Sequence, residues 1–141
     1  MTKSDLRSNC PINYALEYLG DKWTLLVIRD MVFDGKKFYK EFLTSQEGIA
    51  TNILSDRLKK LETAGIVISE VYEKQRTQKI YSLTEKGIDL IPILIELLLW
   101  SSNHKSGLNI PPDFVEKLKS DKNAVINAIT DNVKCNFQNN K

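Results

Sequence analysis

Hydrophobic residues along this chain fall into helix-spaced groups divided by polar or glycine-containing breaks, with one exception in the middle. Pro11 opens the first group, in which Ile12, Ala15, Leu16 and Leu19 recur at i, i+3, i+4 and i+7. This spacing predicts an amphipathic helix with proline at its first position, where the missing N–H has no helical partner to lose. Gly20-Asp21 interrupts it. Asp21 is suited to cap a second helix, from residue 22 to about 32, whose Trp23, Leu25, Leu26, Val27, Ile28 and Met31 mark it as the central core helix. Asp34-Gly35 is a turn signal. Phe38, Phe42 and Leu43 then predict a short helix with these three facing inward, followed by a loop over 45–48. The next helix, within 49–65, carries Leu54, Leu58 and Leu61 as one stripe. Thr51 is its expected N-cap, and Gly65 suits the left-handed residue past its end. The exception comes next. Residues 66–72 and 79–83 are rich in β-branched and aromatic side chains and flank a polar tip at 73–78, which predicts a β-hairpin. Thr84 is then positioned to cap a long helix over about 85–103. Its apolar residues, Leu90 through Trp100, cover more than one face, so it calls for a second packing partner. Beyond Gly107 and Pro111-Pro112, segments 113–119 and 121–134 read as weaker helices, the latter with a stripe of Val125, Ile129 and Val133. Residues 1–9 read as a flexible lead and 136–141 as a frayed polar tail.

A short helix, a turn, a longer helix and then a hairpin form the sequence pattern of a winged helix-turn-helix. The expected fold is therefore mainly α with a small β-hairpin, in the α+β class. At about 100° per residue, Asn52, Ser55, Asp56 and Lys59 lie opposite the leucine stripe. On an isolated helix such an arc is an ordinary solvated face. Ahead of a hairpin whose tip and flank carry Lys74, Arg76 and Lys79, it reads instead as a helix for the major groove beside a wing for the adjacent backbone or minor groove.

Composition narrows this only partly. The 141 residues are 42% hydrophobic and 27% charged, as expected of a globular chain able to bury its own core. The net charge is only +2, so an argument for nucleic acid must rest on where the charges sit. Two cysteines, Cys10 and Cys135, and one histidine, His104, give no metal-ligand spacing, and neither a metal nor a cofactor is expected. No P-loop, dinucleotide glycine pattern or nucleophile motif supports an enzyme. The polar start, MTKSDLRSN, argues against a secretory signal. The longest apolar run, 91–100, is interrupted by Pro92 and Glu96 and is too short for a bilayer. A cytoplasmic protein with no membrane association is expected.

The order of motifs resembles the HxlR-type family of bacterial winged helix-turn-helix transcriptional regulators, relatives of the MarR group. The matching pieces are CPINYALEYLGDKWTLLVIRDM, FYKEF, GIATNILSDRLKKLETAGIV, YSLTEKG and LIPILIELLLWSSNH, covering residues 10 to about 104. The resemblance implies a homodimer on double-stranded operator DNA. The N-terminal and long C-terminal helices would form the dimer, within a DNA-binding domain over residues 1–104 followed by a helical extension over 105–141. It also implies DNA contacts from Thr51, Asn52, Ser55, Arg57 and Lys59, together with Lys74, Arg76 and Lys79 of the wing. The helical wheel agrees for Asn52, Ser55 and Lys59. It sets Arg57 nearer the buried edge, so Arg57 is either a groove contact or a strut to the wing or the preceding helix. The wing departs from the family pattern: many members carry prolines there, and this chain has EKQRTQK.

Cys10 stands where some members of the family carry a cysteine that senses oxidants or electrophiles. A thiol at a helix N-terminus faces the positive end of the helix dipole, which favours the reactive thiolate, and Arg7 is close in sequence. The alternative is a small residue packed at the dimer junction. Trp23 reads as core, Asp21 and Lys22 as cap and surface, and His104 as a surface residue near a helix end. The small-molecule effector is unspecified, although an apolar cleft near Trp23 or Trp100 would suit one. The leading expectation is a dimeric regulator on a pseudo-palindromic operator. The alternative is a winged-helix module that binds protein and not DNA.

Overall fold

The computed structural model describes residues 6–138. The chain separates into two compact units, the first ending at Gly87 and the second beginning at Ile88. The first unit contains α1 (Pro11–Leu19), α2 (Thr24–Phe33), α3 (Tyr39–Phe42), α4 (Thr51–Thr63) and an antiparallel hairpin of β1 (Val67–Val71) and β2 (Lys79–Leu83). The boundary falls at the end of α5 (Glu85–Ile88). The second unit contains α6 (Ile91–His104), α7 (Pro112–Ser120) and α8 (Lys122–Gln138). This is the mainly helical winged helix-turn-helix that the pattern predicts.

The core of the first unit collects on α2, where Val27, Ile28, Met31 and Val32 are buried. Phe42, the stripe Leu54, Leu58 and Leu61, and Ile80, Tyr81 and Leu83 join it, with Ile49, Ile66 and Val67 also buried. Trp23 corrects an expectation. It precedes the helix and is only half-buried, with the Lys22 ammonium 5.4 Å from its ring centre. α2 starts later than residue 22 because Asp21 reaches forward: its Oδ1 accepts the amides of Trp23 at 2.8 Å and Thr24 at 2.9 Å, and its Oδ2 accepts the Thr24 hydroxyl at 2.5 Å.

Thr51 is not the N-cap of α4. Ala50 takes that place without a side-chain bond, and Thr51 is the first helical residue. The other end agrees with the sequence. Gly65 has φ 75°, its amide donates to Glu62 O at 3.0 Å, and the Ile66 amide donates to Leu61 O at 3.0 Å. These two bonds satisfy carbonyls that the helix end leaves open, and the buried pair Ile66 and Leu61 seals the motif.

The hairpin runs in register from Val67↔Leu83 to Val71↔Lys79. On the other edge of β2, Phe38 forms a single bridge with Ile80, and the Tyr81 amide donates to Lys37 O at 2.8 Å. The lead-in to α3 thus covers an edge that would otherwise stand open.

The long helix expected over 85–103 is broken. Thr84 caps α5 by accepting the Gly87 amide at 3.2 Å, but α5 ends at Ile88 and α6 restarts at Ile91. Pro92 has no N–H to donate, and its ring would clash with the carbonyl four residues back, so a continuous helix cannot pass it. In the second unit α6, α7 and α8 pack together, with Leu118 and Val133 buried and Lys122 ion-paired to Glu96. α8 also runs past the expected frayed start at 136, because half-buried Phe137 extends the stripe of Val125, Ile129 and Val133 by one more turn. The remainder of the expected tail, 139–141, and the first five residues of the expected lead lie outside the described residues. Residues 7–10 are tied to α1: Arg7 and Ser8 both bond the Asn13 side chain.

Among the described residues, no helix is long and apolar enough to cross a membrane.

Candidate nucleic-acid interface

The outer face of α4 carries Thr51, Asn52, Ser55, Asp56 and Lys59, all exposed. Asp56 is engaged within the helix, by Arg57 and by Lys60 at 3.4 Å. Lys59 has no ion-pair partner among the described residues, so its charge is available to a phosphate. Asn52 is equally open, with donor and acceptor groups on one amide.

Three tethers fix this face. The first is Tyr39, at the start of α3. Its phenol donates to Thr51 O at 2.8 Å and lies 2.9 Å from Ser55 Oγ, so it grips the first turn of α4 at two points. α3 is itself held by Glu41, whose Oε1 accepts the amides of Lys37 at 3.0 Å and Phe38 at 2.9 Å.

The second is Arg57. Its Nε donates to Asp21 Oδ1 at 3.0 Å, and Nη1 pairs with Asp56. Only 18% of its side chain is exposed. Its bond ties α4 to the α1–α2 turn, not to the wing or the preceding helix. Burial alone would raise the Asp21 pKa. Hydrogen bonds from Thr24 and Arg57 and from the amides of Trp23 and Thr24 outweigh that and hold it at about 2. Arg57 is in turn pushed further above its ordinary value, chiefly by its bond to Asp21.

The third tether holds the turn before α4. Asp30 of α2 is buried, and a buried carboxylate survives only with its lone pairs occupied. Here Arg29 donates to it at 2.8 Å, Lys36 lies 3.5 Å away, and Ser45 closes the set from the loop. Arg29 bridges onward to both carboxylate oxygens of Glu47, at 2.8 and 2.9 Å. That bond is the main reason the Glu47 pKa falls to about 2. None of Tyr39, Asp30 or Asp21 in these roles could be read from periodicity, because each acts across elements.

The wing presents Lys74, Arg76 and Lys79, all exposed. Arg76 pairs with Glu73 at 2.7 Å, a largely exposed bond that a phosphate can replace at little cost. The tip is not a loose loop: the Tyr72 amide donates to Gln78 O at 2.9 Å, and Gln75 and Gln78 form turns inside it. The Phe38 and Tyr72 rings pack edge to face with centres 5.0 Å apart, anchoring the tip to the start of α3. Tyr39, Lys40, Gln78 and Lys79 line one surface groove, so Tyr39 and Lys40 join the residues that sequence reading had placed here.

Cys10 lies outside α4 and the wing, at the start of α1. It is exposed and forms the N-cap of α1, just before Pro11, with no side-chain cap bond. The Arg7 guanidinium bonds Asn13 at 2.8 Å and pairs with Glu17 at 3.6 Å, so its polar contacts are not with the thiol. Cys135 is exposed on α8. His104 is exposed at the end of α6, its ring 5.1 Å from that of Trp100. Two stripes of large apolar side chains face outward: Ile12 and Leu16 on α1, and Ile93, Leu97 and Trp100 on α6.

A family model described as HxlR-like helix-turn-helix matches residues 18–108, which leaves Cys10 ahead of the match. The HTH-type transcriptional regulator YybR of Bacillus subtilis is 34% identical over 102 residues, 72% of this chain and 81% of that protein. Among solved structures, the redox regulator HypR in its oxidised form aligns at 36% identity with a TM-score of 0.60, covering 70% of this chain and 100% of that one. Quinone-bound YodB from B. subtilis aligns at 35% identity with a TM-score of 0.56, covering 67% of this chain and 99% of that one.

Proposed function

The chain belongs to the HxlR-like helix-turn-helix family of transcriptional regulators, which are not enzymes, and from that premise we propose that it acts as a homodimer on a pseudo-palindromic operator, switched at Cys10. In this reading α4 enters the major groove, with Asn52 and Ser55 at base edges and Lys59 at a phosphate. Lys74, Arg76 and Lys79 hold the flanking backbone, and Arg57 positions α4 without touching DNA. The observation that carries the reading is the exposed polar arc of α4, tethered at its first turn by Tyr39 and along its length by Arg57. A helix that only coated the surface would need neither tether.

The outward apolar stripes on α1 and α6 support a second copy as the partner. Large apolar side chains in line are rare on a monomer's surface and common at subunit contacts. Two recognition helices related by a two-fold axis then read half-sites about one DNA turn, ~34 Å, apart. A DNA partner implies a cytoplasmic location.

The exposed Cys10 supports the switch, as do two similar proteins, one named a redox regulator and one solved with a quinone bound. A thiolate adds to an electrophilic quinone by forming an S–C bond while the ring takes up the electron pair and then a proton. The α1–α2 turn that follows Cys10 and α1 in the chain holds Asp21, and through it Arg57 of α4.

The test is a gel shift on the DNA just upstream of the protein's own coding region. Reduced protein, protein treated with diamide or a quinone, and a Cys10→Ser variant are compared. Saturable binding that changes on treatment in the wild type alone supports the whole reading. Binding indifferent to treatment removes the switch, and absence of any affinity for duplex DNA at low salt favours a protein-binding module.

A further inference from the structure

We propose that Tyr39 writes part of the base preference of α4 by fixing Ser55 as a hydrogen-bond acceptor, an inference that rests on α4 reading DNA. The number of hydrogens the two hydroxyls carry fixes which of them donates. A carbonyl can only accept, so the phenolic hydrogen of Tyr39 lies on Thr51 O at 2.8 Å. The phenol has no second hydrogen. The contact of 2.9 Å between Tyr39 and Ser55 is then satisfied only if Ser55 donates its own hydrogen to the phenolic oxygen. Ser55 is exposed, and what it offers outward is lone pairs alone.

A free serine reads any base, because its hydroxyl rotates to give or to take. With its hydrogen committed to Tyr39, Ser55 accepts from the amino groups of adenine N6 or cytosine N4. It meets the O6 of guanine or the O4 of thymine lone pair to lone pair. The first helix of the helix-turn-helix thereby determines what the second can recognise, through a residue that need not touch a base. Tyr39 is a positioning residue, and its effect is confined to the base position that Ser55 faces.

The experiment is selection of binding sites from a randomised duplex pool by wild-type protein, Tyr39→Phe, Ser55→Ala and the double variant. Wild type is expected to select a motif in which one position per half-site favours adenine or cytosine over guanine and thymine by about threefold to tenfold, the worth of one hydrogen bond. Tyr39→Phe should collapse that ratio toward one at that position only. Ser55→Ala should do the same, and the double variant should match Ser55→Ala. An independent check uses wild-type protein throughout: replacing the favoured base by its analogue without the exocyclic amino group should weaken binding by about the same factor. A preference that survives Tyr39→Phe, or binding indifferent to loss of the amino group, would overturn the proposal while leaving DNA reading intact. A wild-type protein that selects no motif would overturn DNA reading itself.

Discussion

Replacing Asp21 by asparagine removes one charge from the turn that joins α1 to α2 and leaves the side chain almost the same size. Asp21 caps α2 and anchors Arg57 of α4 at 3.0 Å, so the change acts on a cap and a strut together. Its size follows from the carboxyl itself. The fall in pKa from the ordinary 3.8 to about 2 reports how much better the folded state holds the charged form. At about 1.4 kcal/mol per pH unit this is roughly 2 kcal/mol. A third of the side chain is exposed, so screening reduces the expected loss to about 1–1.5 kcal/mol. The pH dependence has a definite sign. A depressed folded-state pKa gives stability that is complete above the unfolded value, near pH 4, and is lost as pH falls toward 2. Urea denaturation of wild type and Asp21→Asn, repeated from pH 7 to pH 2, should show a gap of about 1–1.5 kcal/mol that is flat down to about pH 5 and closes between pH 4 and 2. A gap of the same size at pH 2 would refute the electrostatic account and leave only a packing effect. No gap at pH 7 would mean that the strut contributes nothing to stability.

Three other outcomes are expected. Lys59→Ala should weaken DNA binding evenly across sequences and lower the salt slope by about one, whereas Asn52→Ala should alter base preference at one position by about 1–3 kcal/mol, both read by anisotropy titration across salt. Gly65→Ala puts a Cβ on a residue with φ 75° and should cost about 1–2 kcal/mol in thermal or chemical unfolding, since nothing nearby would clash and only backbone strain is added. Leu97→Asp places a charge in the outward apolar stripe of α6 and should shift sedimentation from dimer toward monomer with the helical circular dichroism retained.

The elements that periodicity defines were legible in the chain. The leucine stripe of α4, the glycine that ends it and the existence of the hairpin need only local geometry, and all three stand where the pattern put them. Local signals also misled in instructive ways. Thr51 has the chemistry of a cap, but the chain enters α4 one residue earlier and the Thr51 carbonyl receives Tyr39 instead. One helix was expected after Thr84 because periodicity weighs side chains and not amides, and the missing N–H of Pro92 divides it. Arg57 was undecided on a wheel, since a wheel gives its direction but not its partner. That partner, Asp21, is 36 residues away. Asp30 likewise depends on partners beyond its own helix, since Lys36 and Ser45 join Arg29 around its carboxylate. Periodicity defined the helices, while the side chains that aim α4 depend on contacts between elements distant in sequence.

In the proposed function α4 and the wing of each copy engage DNA as a symmetric pair. Hydroxyl-radical footprinting on a duplex that the protein itself selects tests it most directly. Two protected patches are expected on one face of the duplex, centred about one turn, ~34 Å, apart. Protection should be lost with the double variant Asn52→Ala, Lys59→Ala and retained with Glu116→Ala on α7. A single patch, or protection unchanged when the α4 face is altered, would contradict it.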